Sequence, residues 1–257
     1  MSTEPGSYFS DQHAVITGGA SGIGEAIAER LAETGMRITL MGRNPERLSA
    51  TADRLAATSQ QVDITDPESV RQGFSAAMQA NGPISILVNN AGSAESSPFS
   101  KLDQGMWDRM LAVNLTGTYL CTREVIDKMS RAGFGRIINI ASTASQKGYA
   151  YVSAYCAAKH GVLGLTRALA LEMARKGVTV NAVCPGYTDT DLVARSLDTI
   201  VESTGMSREQ ALAELVKNNP QGRLIQPQEV AETVIWLCRE NSASINGQAI
   251  AVAGGEI

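Results

Sequence analysis

The sequence predicts a single-domain α/β fold: a mainly parallel sheet of seven strands with helices on both faces. Three observations carry the prediction. Short apolar runs alternate with longer amphipathic runs along the chain. The stretches between apolar runs have room for helices, which makes right-handed parallel crossovers the natural connection. The apolar runs are nearly continuous rather than alternating, as in strands covered on both faces. No repeat or low-complexity linker divides residues 1–257, so they read as one domain.

HAVITG (13–18) is the first buried strand, and a glycine turn leads from it into a helix over 23–34. MRITLMG (36–42) is the second strand, after which Asn44-Pro45-Glu46 supplies an N-cap, a first-turn proline and a first-turn acid. QQVDI (60–64) reads as the third strand, Asp66-Pro67-Glu68 as another helix opening, and ISILVNN (84–90) as the fourth strand. A helix or helix pair covers 103–131, followed by the strand GRIINIAS (135–142), a long helix over 153–175 and the strand VTVNAVCP (178–185). The segment 188–221 is polar, carries a Ser207-x-x-Gln210 capping box, and is too long for a plain connection. It reads as a lid over the substrate site. A helix over 227–239 and the strand GQAIAVAGG (247–255) come last.

Composition narrows the function classes. A hydrophobic content of 44% supports a large core, and 22 basic against 26 acidic residues, with no basic run, argues against a nucleic-acid partner. Two histidines, His13 and His160, make a metal site unexpected. The separated Cys121, Cys156, Cys184 and Cys238 read as buried thiols of a reducing cytosol. MSTEPGSYFSDQ lacks a basic-then-apolar leader and no run is long enough to span a bilayer, so a cytoplasmic chain without a membrane partner is expected.

Two motifs point to chemistry. Thr17-Gly18-Gly19-Ala20-Ser21-Gly22-Ile23-Gly24 joins a strand to a helix N-terminus, where backbone N–H groups and the helix dipole favour a pyrophosphate. Tyr155 and Lys159 lie one helical turn apart. In water neither titrates near neutral pH, so any joint role needs a shifted environment.

The spacing Gly18-x-x-x-Gly22-x-Gly24, followed in order by Asn89-Asn90-Ala91-Gly92, Asn114, Ser142, Tyr155-x-x-x-Lys159 and Pro185-Gly186, resembles the short-chain dehydrogenase/reductase family from about residue 13 to 254. The resemblance implies a Rossmann fold and a nicotinamide dinucleotide at the C-terminal ends of the strands. It implies four catalytic residues: Tyr155 as general acid/base, Lys159 lowering the tyrosine pKa and holding the ribose, Ser142 binding the substrate oxygen, and Asn114 holding a relay water. The implied cofactor contacts are Gly18, Ser21, Gly22, Ile23, Gly24, Asp63, Ile64, Asn90, Ala91, Gly92, Tyr155, Lys159, Pro185, Gly186, Thr188 and Thr190. Arg43 stands after the second strand, where a carboxylate would bind the ribose of NAD(H). A guanidinium there favours NADP(H) over NAD(H).

The likeness is greatest to reductases of 3-oxoacyl thioesters and aromatic polyketides. The expected reaction interconverts a 3-oxoacyl thioester (on CoA or an acyl carrier), or a related small 3-oxo compound, and its 3-hydroxy form. Substrate candidates are Ser142, Gln146, Tyr149 and Tyr155. The alternative is an NAD-dependent dehydrogenase of a secondary alcohol or 3-hydroxyacyl-CoA, and more remotely a non-catalytic nucleotide sensor. Ala144 and Val152 replace the His and Lys of 3-hydroxybutyrate dehydrogenases, which argues against a short free carboxylate as substrate. Arg131 and Lys176 lie at helix ends where carrier-dependent reductases place basic residues. The family also implies a homotetramer, formed through the 153–175 helix and the last helix and strand.

Overall fold

The computed structural model describes residue 9 and residues 12–257; the stretch read above for a leader lies outside them, apart from Phe9 and Gln12. Seven strands form one sheet: β1 (His13–Thr17), β2 (Arg37–Gly42), β3 (Thr58–Gln61), β4 (Ile86–Asn89), β5 (Gly135–Ile140), β6 (Val178–Pro185) and β7 (Ala249–Val252). Their spatial order is β3-β2-β1-β4-β5-β6-β7. All six pairings are parallel. The nine α-helices among the described residues are α1 (Gly22–Ala32), α2 (Pro45–Leu55), α3 (Pro67–Asn81), α4 (Gln104–Leu111), α5 (Gly117–Ala132), α6 (Ser153–Met173), α7 (Asp191–Thr204), α8 (Arg208–Val216) and α9 (Pro227–Cys238).

Each face of the sheet has its own core. On one, Ile27 and Leu31 of α1 meet Val230, Val234 and Ile235 of α9 over Ile16 and Val88. On the other, Phe74 of α3, Val125 and Met129 of α5 and Met173 of α6 pack over Val15, Leu87 and Ile137. This alternation along β1 and β4 is why every position of both strands is buried. Between β1 and β4 the chain reverses its direction of travel across the sheet, which opens a crevice at the C-terminal strand ends.

One element differs from the sequence reading, and the structure gives detail to two others. The third strand is Thr58–Gln61, not 60–64, because the edge strand pairs through its polar residues, from Thr39↔Thr58 to Gly42↔Gln61. The apolar Val62 and Ile64 that drew the reading are buried just beyond it, in the core beneath the sheet. The 103–131 region is two α-helices joined without a break by a π-helical turn, Ala112–Thr116. The segment 188–221 contains α7 and α8, which share a small apolar cluster of Val193, Leu197 and Ala211 with Tyr187 against it. All four cysteines are buried and unpaired. No helix among the described residues is long and apolar enough to cross a membrane. Nor does any group of three or more His, Cys, Asp or Glu among them suit a metal ion.

Candidate active site

At the end of β1 the chain turns through Gly18 to Gly24 into α1. A Cβ at Gly24 would lie 2.2 Å from Gly18 O and 2.4 Å from Asn90 Nδ2, so only glycine lets the helix start this close to the strand end. Asn90 ties the turn to the loop after β4 by donating to Thr17 O at 3.0 Å and Gly18 O at 3.1 Å. The Thr17 hydroxyl accepts from the amides of Asn90 and Ala91, both at 3.0 Å. Ser21 at the N-cap of α1 is exposed and makes no side-chain cap. By contrast, Asn44, Asp66, Asp103 and Ser207 all cap their helices. The uncapped first turn of α1, holding Gly22, Ile23 and Gly24, is the donor set a pyrophosphate fits. The start of α7 borders it: a Cβ at Gly22 would lie 3.0 Å from Thr190 Cγ2.

Beside this turn a cleft of about 430 Å³ is lined by Arg43, Gln61, Asp63 and Ser69. Asp63 Oδ1 accepts from the Thr65 amide at 2.9 Å and the Thr65 hydroxyl at 2.7 Å. Those two bonds, outweighing partial burial and assisted by the Arg43 charge, hold the Asp63 carboxyl below its ordinary pKa. Arg43 is exposed at the rim, and its carbonyl accepts from Gln61 Nε2 at 3.2 Å. Ile64 is buried, with Cδ1 2.7 Å from where a Gly117 Cβ would lie. Its backbone, not its side chain, is what a ligand in this cleft could meet.

The candidate catalytic residues gather beyond β5. Ser142 follows the strand in extended conformation, and its Oγ accepts from the Ala144 amide at 3.1 Å. Tyr155 sits in the first turn of α6, half-buried. Lys159 is buried one turn on, its Nζ donating to Ile140 O at 2.8 Å and lying 5.7 Å from the Tyr155 ring centroid. Asn114, buried in the π-helical turn, donates through Nδ2 to Ser93 O at 2.9 Å and Met110 O at 3.0 Å. A Cβ at Gly92 would lie 2.8 Å from Asn114 Oδ1 and 3.7 Å from Lys159 Nζ. The structure therefore brings Gly92, Asn114 and Lys159 to one point, with the Tyr155 ring near Lys159 Nζ.

Burial governs both titrating groups. It lowers the Lys159 ammonium to about 8. It pushes the Tyr155 phenol up to about 12, against a smaller opposing effect of the Ser142 hydroxyl. The resemblance implied a tyrosine made more acidic by Lys159. In the free protein desolvation wins instead, with the ammonium engaged by the Ile140 carbonyl.

Pro185 ends β6, and Thr188 is buried with its hydroxyl donating to Gly186 O at 3.0 Å. Thr190 N-caps α7 by position and donates to Thr188 O at 3.2 Å. Gln146 is exposed. The Tyr149 hydroxyl contacts Thr143 Oγ1 and Glu256 Oε1. Tyr151 is 66% exposed with φ +68°, a strained backbone for an aromatic residue, and its carbonyl accepts from the Ser97 amide at 2.7 Å. Sequence reasoning missed Lys147, Tyr187 and Glu256, which adjoin this tract; no local motif marks any of them.

The model of the short chain dehydrogenase family matches residues 12–201. A Streptomyces violaceoruber protein assigned as ketoacyl reductase 1 of the granaticin polyketide synthase is 40% identical over 249 residues, 94% of this chain and 92% of that protein. The D-beta-hydroxybutyrate dehydrogenase of Rhizobium meliloti is 38% identical over 250 residues, covering 94% and 97%. A single-residue variant of the actinorhodin polyketide ketoreductase, solved with NADPH, superposes with a TM-score of 0.92 at 37% identity, covering 95% and 97%.

Proposed function

The chain belongs to the short-chain dehydrogenase/reductase family and is an NAD(P)-dependent oxidoreductase of CH–OH and C=O groups; from that premise we propose that it interconverts a 3-oxoacyl thioester, or a related 3-oxo compound, and its 3-hydroxy form. The observation that carries the reading is the buried Lys159 ammonium, held between the Ile140 carbonyl and the Tyr155 ring, with Ser142 beside that phenol.

A bound nicotinamide dinucleotide supplies or accepts the hydride. The uncapped turn of α1 would hold its pyrophosphate, the Arg43 and Asp63 cleft its adenosine end, and Pro185, Gly186, Thr188 and Thr190 its nicotinamide end. Arg43 favours a 2′-phosphate, so NADP(H) is the preferred form. In the reductive direction Ser142 Oγ and Tyr155 OH converge on the substrate carbonyl oxygen. Tyr155 is neutral at pH 7 and gives its proton to that oxygen as negative charge builds on it. The Lys159 charge stabilises the phenolate left behind, and Asn114 Oδ1, beside Lys159 Nζ, anchors the path by which the proton is replaced.

The segment 188–221 acts as the lid of the substrate site, with Gln146 and Tyr149 on the opposing wall. Exposed Arg131 and Lys176 suit the acidic surface of an acyl carrier. The protein works in the cytoplasm as a homotetramer.

The test is oxidation of NADPH and NADH with acetoacetyl-CoA. Turnover with the higher kcat/KM for NADPH is expected, and Tyr155→Phe should lower kcat at least ~1000-fold while NADPH binding stays within about threefold. Undiminished turnover by Tyr155→Phe would overturn the assignment.

A further inference from the structure

Glu256 lies four residues beyond β7, and its side chain is turned inward with 3% exposure. Its Oε1 pairs with Lys147 Nζ at 2.9 Å and accepts from the Tyr149 hydroxyl at 2.5 Å. That hydroxyl also lies 2.7 Å from Thr143 Oγ1, next in sequence to Ser142. On the opposite side, a Cβ at Gly186 would lie 3.4 Å from Glu256 Oε2. The carboxylate thus sits between the loop that carries Ser142 and the loop assigned to the nicotinamide end. Tyr187 packs edge-on against Tyr149, with centroids 6.3 Å apart and planes at 80°. It is near enough to both Tyr155 and Glu256 to add to the pKa shift of the first and to feel the charge of the second. Lys147, Tyr149 and Tyr187 therefore form one side-chain cluster with Glu256.

A buried ion pair is a weak source of stability, since desolvation cancels most of the attraction. Its position makes it a determinant of what may approach. Lys147 is one-third exposed, its Nζ stands 5.0 Å over the Tyr149 ring, and an ammonium has three donors. Unneutralised, it would attract a substrate carboxylate. We propose that Glu256 neutralises Lys147 in the substrate wall and so sets the selectivity of the site for neutral 3-oxo groups, such as esters and thioesters, over free 3-oxo carboxylates.

The inference rests on the ketone-reduction reading, and the experiment separates the two. Wild type, Glu256→Gln, Lys147→Met and the double variant are assayed with acetoacetate and with its ethyl ester at pH 7. The four walls differ in charge: zero, plus one, minus one and zero. The ratio of kcat/KM for the acid to that for the ester should rise about tenfold in Glu256→Gln and fall about tenfold in Lys147→Met. In the double variant it should return to within about threefold of wild type. Loss of packing alone would lower both substrates together and leave the ratio unchanged, and an unchanged ratio in both single variants overturns the proposal. If Lys147→Met does not fold, Glu256→Gln and the double variant still give different expectations, a rise against no change. Calorimetric affinities for the two compounds, with oxidised dinucleotide present, give the same ratio without turnover. Failure of the wild type to reduce the ester with either dinucleotide would overturn the reductase reading, while the affinity ratios still decide the role of Glu256.

Discussion

Lys159 and Tyr155 are moved in opposite directions by the same burial, to about 8 and about 12. Their order decides which of them limits the enzyme in alkali. The phenol keeps its proton far above the working range, so the lysine charge is the first to be lost. For the dinucleotide, kcat/KM reports the free enzyme and should fall with a single-proton limb near pH 8. Lys159→Arg, charged at every accessible pH, should move that limb out of range. Stability gives a second readout of the sign. The folded chain disfavours the ammonium, so Lys159 costs stability below pH 8, and the cost lifts as pH rises from 8 toward the ordinary 10.5. Urea titrations should show wild type gaining on Lys159→Met by a few kcal/mol over that interval. A gain confined to lower pH would contradict the assignment.

At the scale of elements, the contact between β1 and α1 is set by a single missing methyl group. Gly24→Ala should cost about 1–3 kcal/mol, because the new Cβ meets the backbone oxygen of Gly18 at 2.2 Å. It should also weaken dinucleotide binding about tenfold or more, since relief of the clash moves the turn proposed to hold the pyrophosphate. Gly35→Ala is the control: φ is +81° there and nothing lies within 4 Å, so stability falls while dinucleotide affinity stays. Equal affinity losses in both variants would remove Gly24 from the site. The Tyr155 and Lys159 pair was legible in the sequence because helical spacing is local. The π-helical turn that buries Asn114 was not, because it is stabilised by contacts of Asn114 with Met110 and with Ser93, a residue 21 positions earlier. The start of β3 was misread for a related reason: an edge strand is chosen by what it pairs with, and Thr58 and Gln61 pair well without being apolar.

For the whole molecule, the exposed apolar residues mark the surfaces that the proposed tetramer would cover. Leu171 on α6 is 83% exposed, beside a shallow cavity of about 290 Å³ formed with Ala170, Ala174, Asn246 and Gly247. Trp236 on α9 is 40% exposed. Light scattering at micromolar concentration should give about four times the chain mass of 27.2 kDa, and Leu171→Glu should reduce it. A monomeric wild type would contradict the assembly.

By itself the sequence determined the parallel sheet and the glycine turn at its first strand end, which are written in periodicity and in the placing of glycines between a strand and a helix. Asn114, Ser142, Tyr155 and Lys159 were named by the family resemblance, from motifs that follow one another in order along the chain. Only the tertiary structure decided the electrostatics of the site and the composition of its wall. Burial, which raises Tyr155 and lowers Lys159, depends on everything packed around them. The contact of Tyr149 with Glu256 spans 107 residues, and no local pattern in a chain can announce a partner that the closing of the fold brings from that far away.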